Sequence, residues 1–519
     1  MKNTVPFQSY DAQDKDTGPQ YLEDLATGYW FSEVLFTAVE MNLFSLVGTE
    51  GATIEELSRA LNASLHGIKR FLQALGAMGL VTNEGQRYFN TKLSSTYLVC
   101  GKDQYQGDSI LWRKYLCSSW NGLKECLKEG GRVDYNSNDS SSERVKHIQK
   151  YIRAMDGIAK IKAREIVTFF AAHSVKGKIL DVGAGSGAVA AAFLEHFPLT
   201  HAVVIDLPEI IDQTRELLSD RRLDSRLQYC PANILEPWPV KKESFDLVIL
   251  SNIVHAYSEK ELPHILLSAV DCLGNHGILL IHDFFLEHCP EKAALSDLNM
   301  FINTFNGRVF SGKYVKGQLF HLGFFCTDMV PLKTDTAILF ASKDRAAIES
   351  LHLSTTDLLV SKIRAQGFKK VYPMNTEDIQ IAEWTELRCR FGCDRYGNPH
   401  CPPNSPSPKK TRETFKEYKQ ALLLEGEPPT KTFQLQVLQA ERAAFKAGFH
   451  KAFAYWAGPC SLCESCAKNE PCTNTVNCRP AMEGAGIDVF ETARHAGATL
   501  RTLSNKDDFV KYFALILLE

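Results

Sequence analysis

Five cysteines repeat as Cys460-x2-Cys463-x2-Cys466-x5-Cys472-x5-Cys478, and three more stand upstream at Cys389, Cys393 and Cys401. These eight are more than half of the 15 cysteines in the chain. A thiolate triplet at two-residue spacing lets one tight loop wrap three corners of an iron–sulfur cube. Cys472 or Cys478 then supplies the fourth corner. Zinc competes, because tetrahedral four-cysteine sites also use C-x2-C hooks. Those hooks normally come as two pairs, so the run of three favours iron–sulfur. Eight ligands suffice for two four-cysteine clusters, but one cluster with a zinc ion, or one with spare thiols, stays open. His400 and His450 read as ordinary surface or packing residues.

The second chemical string is ILDVGAGSGAVA, from Ile179 to Ala190. Asp181, Gly183, Gly185 and Gly187 fall where a strand turns into a helix. Glycines let the backbone bend tightly and approach a ligand, and the helix start offers free amide donors. A dinucleotide site would space its glycines G-x-G-x-x-G. Here they run G-x-G-x-G with an acid two residues upstream, which suits S-adenosylmethionine better. The next strand ends in VVIDLP, placing Asp206 where a carboxylate accepts both ribose hydroxyls.

At 519 residues and 45% hydrophobic, the chain has length for about three or four units of roughly 150 residues, each with a core. Its 58 basic and 61 acidic residues nearly balance, which gives no electrostatic reason to expect nucleic acid or a membrane as partner. Residues 1–20 read as a polar leader, and no apolar run approaches the roughly 20 residues of a membrane span. The expectation is a soluble cytoplasmic protein whose cysteines are thiols or metal ligands.

The elements that must position these groups follow from pattern. Residues 21–100 read as helix, helix, hairpin, a winged helix whose first helix begins at Thr53. Its candidate recognition stretch offers only Lys69 and Arg70, so packing or dimerisation is expected in place of DNA binding. Residues 101–174 read as a helical linker and pocket-lining helices, broken by a polar loop at 134–143. Residues 175–343 alternate short apolar runs with helical patterns, as a doubly wound parallel sheet does, and close with a strand pair in Phe320–Lys343. Residues 344–519 form the cysteine-rich unit, with helices expected at Lys409–Leu424 and Lys431–Ala447.

Taken together, LFTAVEMNLFSLV, LSRALNASLHGIKRFLQALGAMGLV, ILDVGAGSG, IDLPEI and VILSNIVHAYSEKE resemble the class I S-adenosylmethionine-dependent O-methyltransferases. That family carries an N-terminal winged-helix dimerisation domain. The fold implied is α/β: an all-α winged-helix domain, a Rossmann-like methyltransferase domain, then a C-terminal α+β iron–sulfur domain. The resemblance implies cofactor contacts from Asp181, Gly183, Ala184, Gly185, Asp206, Leu207, Asn233, Ile234 and Ser251. It implies His255 as the base that deprotonates a small aromatic or hydroxylated acceptor, with Asp283 beside it, in a homodimer. The family often has aspartate and tryptophan after this histidine, where this chain has Ala256 and Tyr257. A second expected acid falls near Gly312.

Residues from about Leu353 onward resemble a family of predicted metal-binding proteins with no assigned reaction. The strings are CPP, YKQALLL, LQAERAAFKAGFHKAF, GPCSLCESC and RPAMEGAGIDVFET. They add ligand positions rather than chemistry. Electron transfer, which would call for an electron donor, and structural stabilisation both fit them. A redox enzyme that only binds the nucleoside cofactor is the alternative reading.

Overall fold

The computed structural model describes residues 19–133, 141–170, 175, 177–221, 223, 225–368, 370–426, 430–464, 466, 471–500 and 511–519. The chain forms two compact units, one spanning Thr27–Leu353 and one built on Ser354–Glu519. No helix among the described residues is long and apolar enough to cross a membrane.

The first unit begins as its caps dictate. Thr53 accepts the Glu56 N–H while Glu56 Oε2 accepts the Thr53 N–H at 2.8 Å, a closed capping box that starts helix Ile54–Ala60. Ser64 caps helix Leu65–Ala77, whose Ile68, Leu72 and Leu75 are buried. Three short strands, β1 (Ala52–Thr53), β2 (Val81–Glu84) and β3 (Arg87–Asn90), pair in the order β1-β3-β2. The domain is therefore not all-α: the turn expected at Asn83–Gln86 is confined to Gly85–Gln86, because Asn83 and Glu84 belong to β2 and pair with Tyr88 and Arg87 of β3 as the wing.

Helices Gly107–Asn121 and Ser141–Ile166 follow. Residues 134–140 of the expected polar loop lie outside the described residues, and Ser141–Glu143 is already helical. Then the texture changes to β4 (Lys178–Val182), β5 (His201–Asp206), β6 (Leu227–Pro231), β7 (Phe245–Ser251) and β8 (Leu273–Asp283). These five run parallel in the order β6-β5-β4-β7-β8. Burial on both faces explains their near-continuous apolar runs. Helix Gly312–His321 takes up the start of the expected closing pair. The closing strands are β9 (Phe325–Cys326), β10 (Val330–Pro331) and β11 (Ala337–Ser342), with β11 antiparallel to β8. The chain leaves β4 toward β5 on one side and toward β7 on the other. Ligands bind outside the carboxyl ends of strands at such a switch point.

The second unit is a four-stranded antiparallel sheet, β12 (Lys370–Asn375), β13 (Gln420–Gly426), β15 (Tyr512–Leu517) and β14 (Phe453–Tyr455), in that order. Alternation along β13 sends Leu422 and Leu424 into one core with helices Thr355–Arg364 and Lys431–Lys446. Ala421 and Leu423 go into another with Phe415, Met482 and Ile487. The helix expected over Lys409–Leu424 is thus corrected. It occupies Pro408–Phe415, and the run ALLL is a central strand buried on both faces. Such a run has no period to distinguish strand from helix.

Candidate functional site

Gly183, Gly185 and Gly187 all have positive φ, at 62°, 56° and 71°. A Cβ on Gly183 would meet Ile253 at 2.4 Å, and one on Gly187 would meet Leu218 and Thr214 at 2.8 Å. Both are held by packing as well as conformation. Around Gly185 nothing lies within 4 Å, so the middle of the loop faces open space. Asp206 braces the loop. Its Oδ2 accepts the Gly185 N–H at 2.8 Å and its Oδ1 accepts that of Leu207 at 2.8 Å. Burial raises the Asp206 pKa, and those two N–H groups oppose the rise.

Asp181 is buried beneath the loop. Its Oδ2 accepts from Ala190 N at 3.1 Å, while its Oδ1 is buried without a partner among the described residues. Burial pushes its pKa up to about 7. A donor entering the loop would satisfy that oxygen. An open glycine face over an orphaned carboxylate oxygen fits the amino acid end of S-adenosylmethionine. Of the other expected cofactor positions, Ala184 donates its N–H to Ile205 O, Asn233 Oδ1 caps the Leu235 N–H, and Ile234 is buried.

Ser251 ends β7 and meets His282 Nδ1 at 2.8 Å, and His282 Nε2 meets Thr336 Oγ1 at 2.8 Å. Burial drives the His282 pKa down to about 3. Unfolded, it would titrate near 6.5. Since the folded value is the lower, the unfolded chain takes the proton first, and stability falls as pH drops from about 6.5 toward 3. Between pH 7.5 and 5 the first unit should lose about 2 kcal/mol, readable in its denaturant midpoint. His282→Asn should flatten that dependence, and an equal loss in the variant would assign it elsewhere.

His255 sits in the turn Val254–Ala256 after β7, and Asp283 ends β8. His255 Nδ1 lies 2.5 Å from Asp283 Oδ1, while Asp283 Oδ2 accepts the His255 N–H at 3.2 Å. Asp283 is fully buried. Burial alone would raise its pKa, but the His255 charge and hydrogen bond, with the Phe284 N–H, hold it below the usual carboxylate range. An ionised carboxylate at Nδ1 fixes the proton there and leaves Nε2 as the basic nitrogen. Near Gly312 a different acid arrives: Glu287 Oε2 accepts the Gly312 N–H at 2.9 Å.

Several residues around this site carry no sequence signal. Trp112 stacks on Tyr115 at 5.0 Å and meets Tyr151 at 5.2 Å, forming an aromatic wall on the two long helices. Tyr151 and Tyr257 both lie within electrostatic range of Asp206. Asn252, at φ 54°, buries an Oδ1 that has no partner among the described residues, next to Ser251. A cavity of about 250 Å³ lined by Asp103, Lys160, Arg164 and Glu195 holds none of these groups.

In the second unit, Cys460, Cys463, Cys466, Cys472 and Cys478 line one cavity with His400, Leu462 and Asn474. Its ends are fixed to one helix. Gln434 accepts the Ser461 N–H and donates to Pro459 O, each at 2.8 Å, and Glu441 grips Arg479 through both oxygens. His400 is buried, and its Nε2 accepts the Cys460 N–H at 3.1 Å, so it shapes the loop. His450 is exposed beside Glu519. Cys401 lies within electrostatic range of Cys389, Cys393, Cys460 and Cys466.

Among the described residues no three Cys, His, Asp or Glu side chains stand as a single metal ion requires. The free volume, about 20 Å³, admits about one water-sized group. Five convergent thiols suit a thiophilic metal. A cluster would require the sulfurs to spread.

Comparison with known proteins agrees with both units. Residues 23–100 match the O-methyltransferase dimerisation domain, residues 125–325 the O-methyltransferase domain, and residues 372–518 a predicted metal-binding protein family, DUF2284. The chain is 27% identical over 301 residues to a 3-hydroxy-5-methyl-1-naphthoate 3-O-methyltransferase of Streptomyces sahachiroi, covering 57% of this chain and 86% of that protein. It is 27% identical over 310 residues to acetylserotonin O-methyltransferase of Gallus gallus, covering 55% and 86%. Human N-acetylserotonin methyltransferase, solved with S-adenosylmethionine, shares the fold with a TM-score of 0.55 at 22% identity, over 64% of this chain and 99% of that one.

Proposed function

Residues 23–325 belong to the O-methyltransferase family, joined on one chain to a predicted metal-binding domain, and on that footing we propose that the first unit methylates a hydroxyl of a small aromatic acceptor. The observation that carries this is the His255–Asp283 pair, after β7 and at the end of β8, on the same sheet edge as the open glycine loop after β4 and Asp206 at the end of β5. Bound S-adenosylmethionine would supply an electrophilic methyl group on a sulfonium. Asp181 and Asp206 would hold its amino acid and ribose parts, with Asn233 toward the base. His255 Nε2 takes the hydroxyl proton, and Asp283 keeps the ring in the tautomer that can accept it. The aromatic wall of Trp112, Tyr115 and Tyr151 supports a flat acceptor, which the hydroxynaphthoate relative also uses by name.

Calorimetry tests the cofactor reading. The full chain should bind S-adenosylmethionine, and Asp206→Ala should weaken binding by about tenfold to a hundredfold, the value of a charged hydrogen-bond pair. Absence of binding would end it. We also propose a homodimer through the N-terminal helices, supported by the dimerisation match and by Tyr29 and Trp30, which are 63% and 58% exposed. In the second unit we propose a thiolate metal centre on the five-cysteine loop, with Cys389, Cys393 and Cys401 as a neighbouring set. The C-x2-C-x2-C spacing supports iron–sulfur over zinc.

A further inference from the structure

Lys162, on the Ser141–Ile166 helix, is only 5% exposed. Its nearest carboxylate oxygen is Asp335 Oδ1 at 3.9 Å, the outer limit of an ion pair. On the same helix Lys160 holds Asp156 at 2.5 Å, so the loose geometry is particular to Lys162. Burying an ammonium is costly unless it is closely paired. Lys162 is not needed to tie the Lys333–Asp335 turn to this helix, because Glu165 already accepts the Lys333 N–H at 3.1 Å.

The side chain points at the chemistry. Lys162 Nζ lies 5.4 Å from the centre of the Phe284 ring, and the same ring meets His255 edge-on at 5.7 Å. Lys162 and His255 therefore both lie against one phenyl ring. Arg113, from the Gly107–Asn121 helix, adds a second positive charge within range of both Lys162 and Asp335. Arg113 and Tyr151 keep accessible surface, yet surrounding protein desolvates both. Asp335 is shared between the two cations, while Asp283 is engaged by His255.

Resting on the methyl-transfer reading, we propose that Lys162 and Arg113 bind a carboxylate on the methyl acceptor, about one ring's width from the hydroxyl presented to His255. The acceptor is then a hydroxyaryl acid. A carboxylate between the two cations completes the pairing that Asp335 leaves loose, and a fork of Arg donors fits it in two hydrogen bonds. Trp112 and Tyr151 supply the face on which its ring lies.

The test is calorimetric titration of the full chain saturated with S-adenosylhomocysteine. Its probes are hydroxybenzoates, hydroxynaphthoates and hydroxyindole carboxylates, each beside the neutral arene lacking the carboxylate. At least one acid should bind tenfold or more tighter than its counterpart. Lys162→Met should abolish that preference while leaving the neutral compound within threefold, and Arg113→Gln, at an accessible position, should reduce it. Failure to bind S-adenosylhomocysteine would remove the methyl-transfer reading and this proposal with it. Cofactor binding with no acid preferred, or equal weakening of acid and neutral compound in Lys162→Met, would overturn this proposal alone.

Discussion

His255→Ala should lower kcat for methyl transfer by about a hundredfold to ten-thousandfold, the range a positioned general base contributes. Affinity for S-adenosylmethionine should stay within a factor of two or three, because no bond from His255 reaches Asp181, Asp206 or the glycine loop. Asp283→Asn should do nearly as much damage, since an amide cannot hold the imidazole with its proton on Nδ1. Its side chain is fully buried and also accepts the His255 and Phe284 N–H groups, so the turn carrying the base should loosen too. Residues acting as one unit are strongly non-additive. The double variant should therefore be little worse than His255→Ala alone. The measurement is S-adenosylhomocysteine release under saturating acceptor, with thermal unfolding as control. A His255→Ala protein that keeps kcat within threefold of the parent would show that the acceptor arrives already ionised.

How much of this site the sequence made legible depends on how local each signal is. Asp181, the three glycines and Asp206 lie on two consecutive strand ends, and their spacing alone points to a nucleoside cofactor. His255 and Asp283 lie on strands that the fold sets side by side, and only the family resemblance joins them. Lys162 and Arg113 belong to two helices in the stretch 101–174, which the sequence marks only as a helical linker with pocket helices. Nothing local marks a lysine as buried, so the burial of Lys162 becomes visible only when the helices pack. His282 is hidden for the opposite reason. It interrupts the apolar run GILLIHDF, where a core strand is the natural reading, yet it forms a neutral bridge from Ser251 to Thr336. Strand β13 was misplaced because a segment buried on both faces shows no alternation. Near Gly312, where the expected acid is missing, the carboxylate that arrives is Glu287, 25 positions away, a pairing that no local pattern encodes.

Stripping metal from the second unit should lower its unfolding temperature by about 20 °C or more, taking about 10 kcal/mol as the scale of a structural thiolate site. Unlike a zinc finger, this unit has its own cores on both faces of a four-stranded sheet, so it should keep its strands when the metal leaves. What should come loose is the loop from Cys460 to Cys478, held otherwise by Gln434 and by the Glu441–Arg479 pair. Serine at Cys460, Cys463 or Cys466 should each reduce metal content to background, because a triplet serving one centre leaves no redundant member. Anaerobic preparation followed by metal and acid-labile sulfide analysis separates the two chemistries. Iron with sulfide requires the five sulfurs to open beyond their present 20 Å³ cavity. Zinc without sulfide would overturn the iron–sulfur reading, and it too requires the thiols to shift, since no three of the described side chains stand as a single ion requires. Protein lacking any metal, with the same unfolding temperature before and after chelation, would leave five clustered thiols without a ligand and remove the centre altogether.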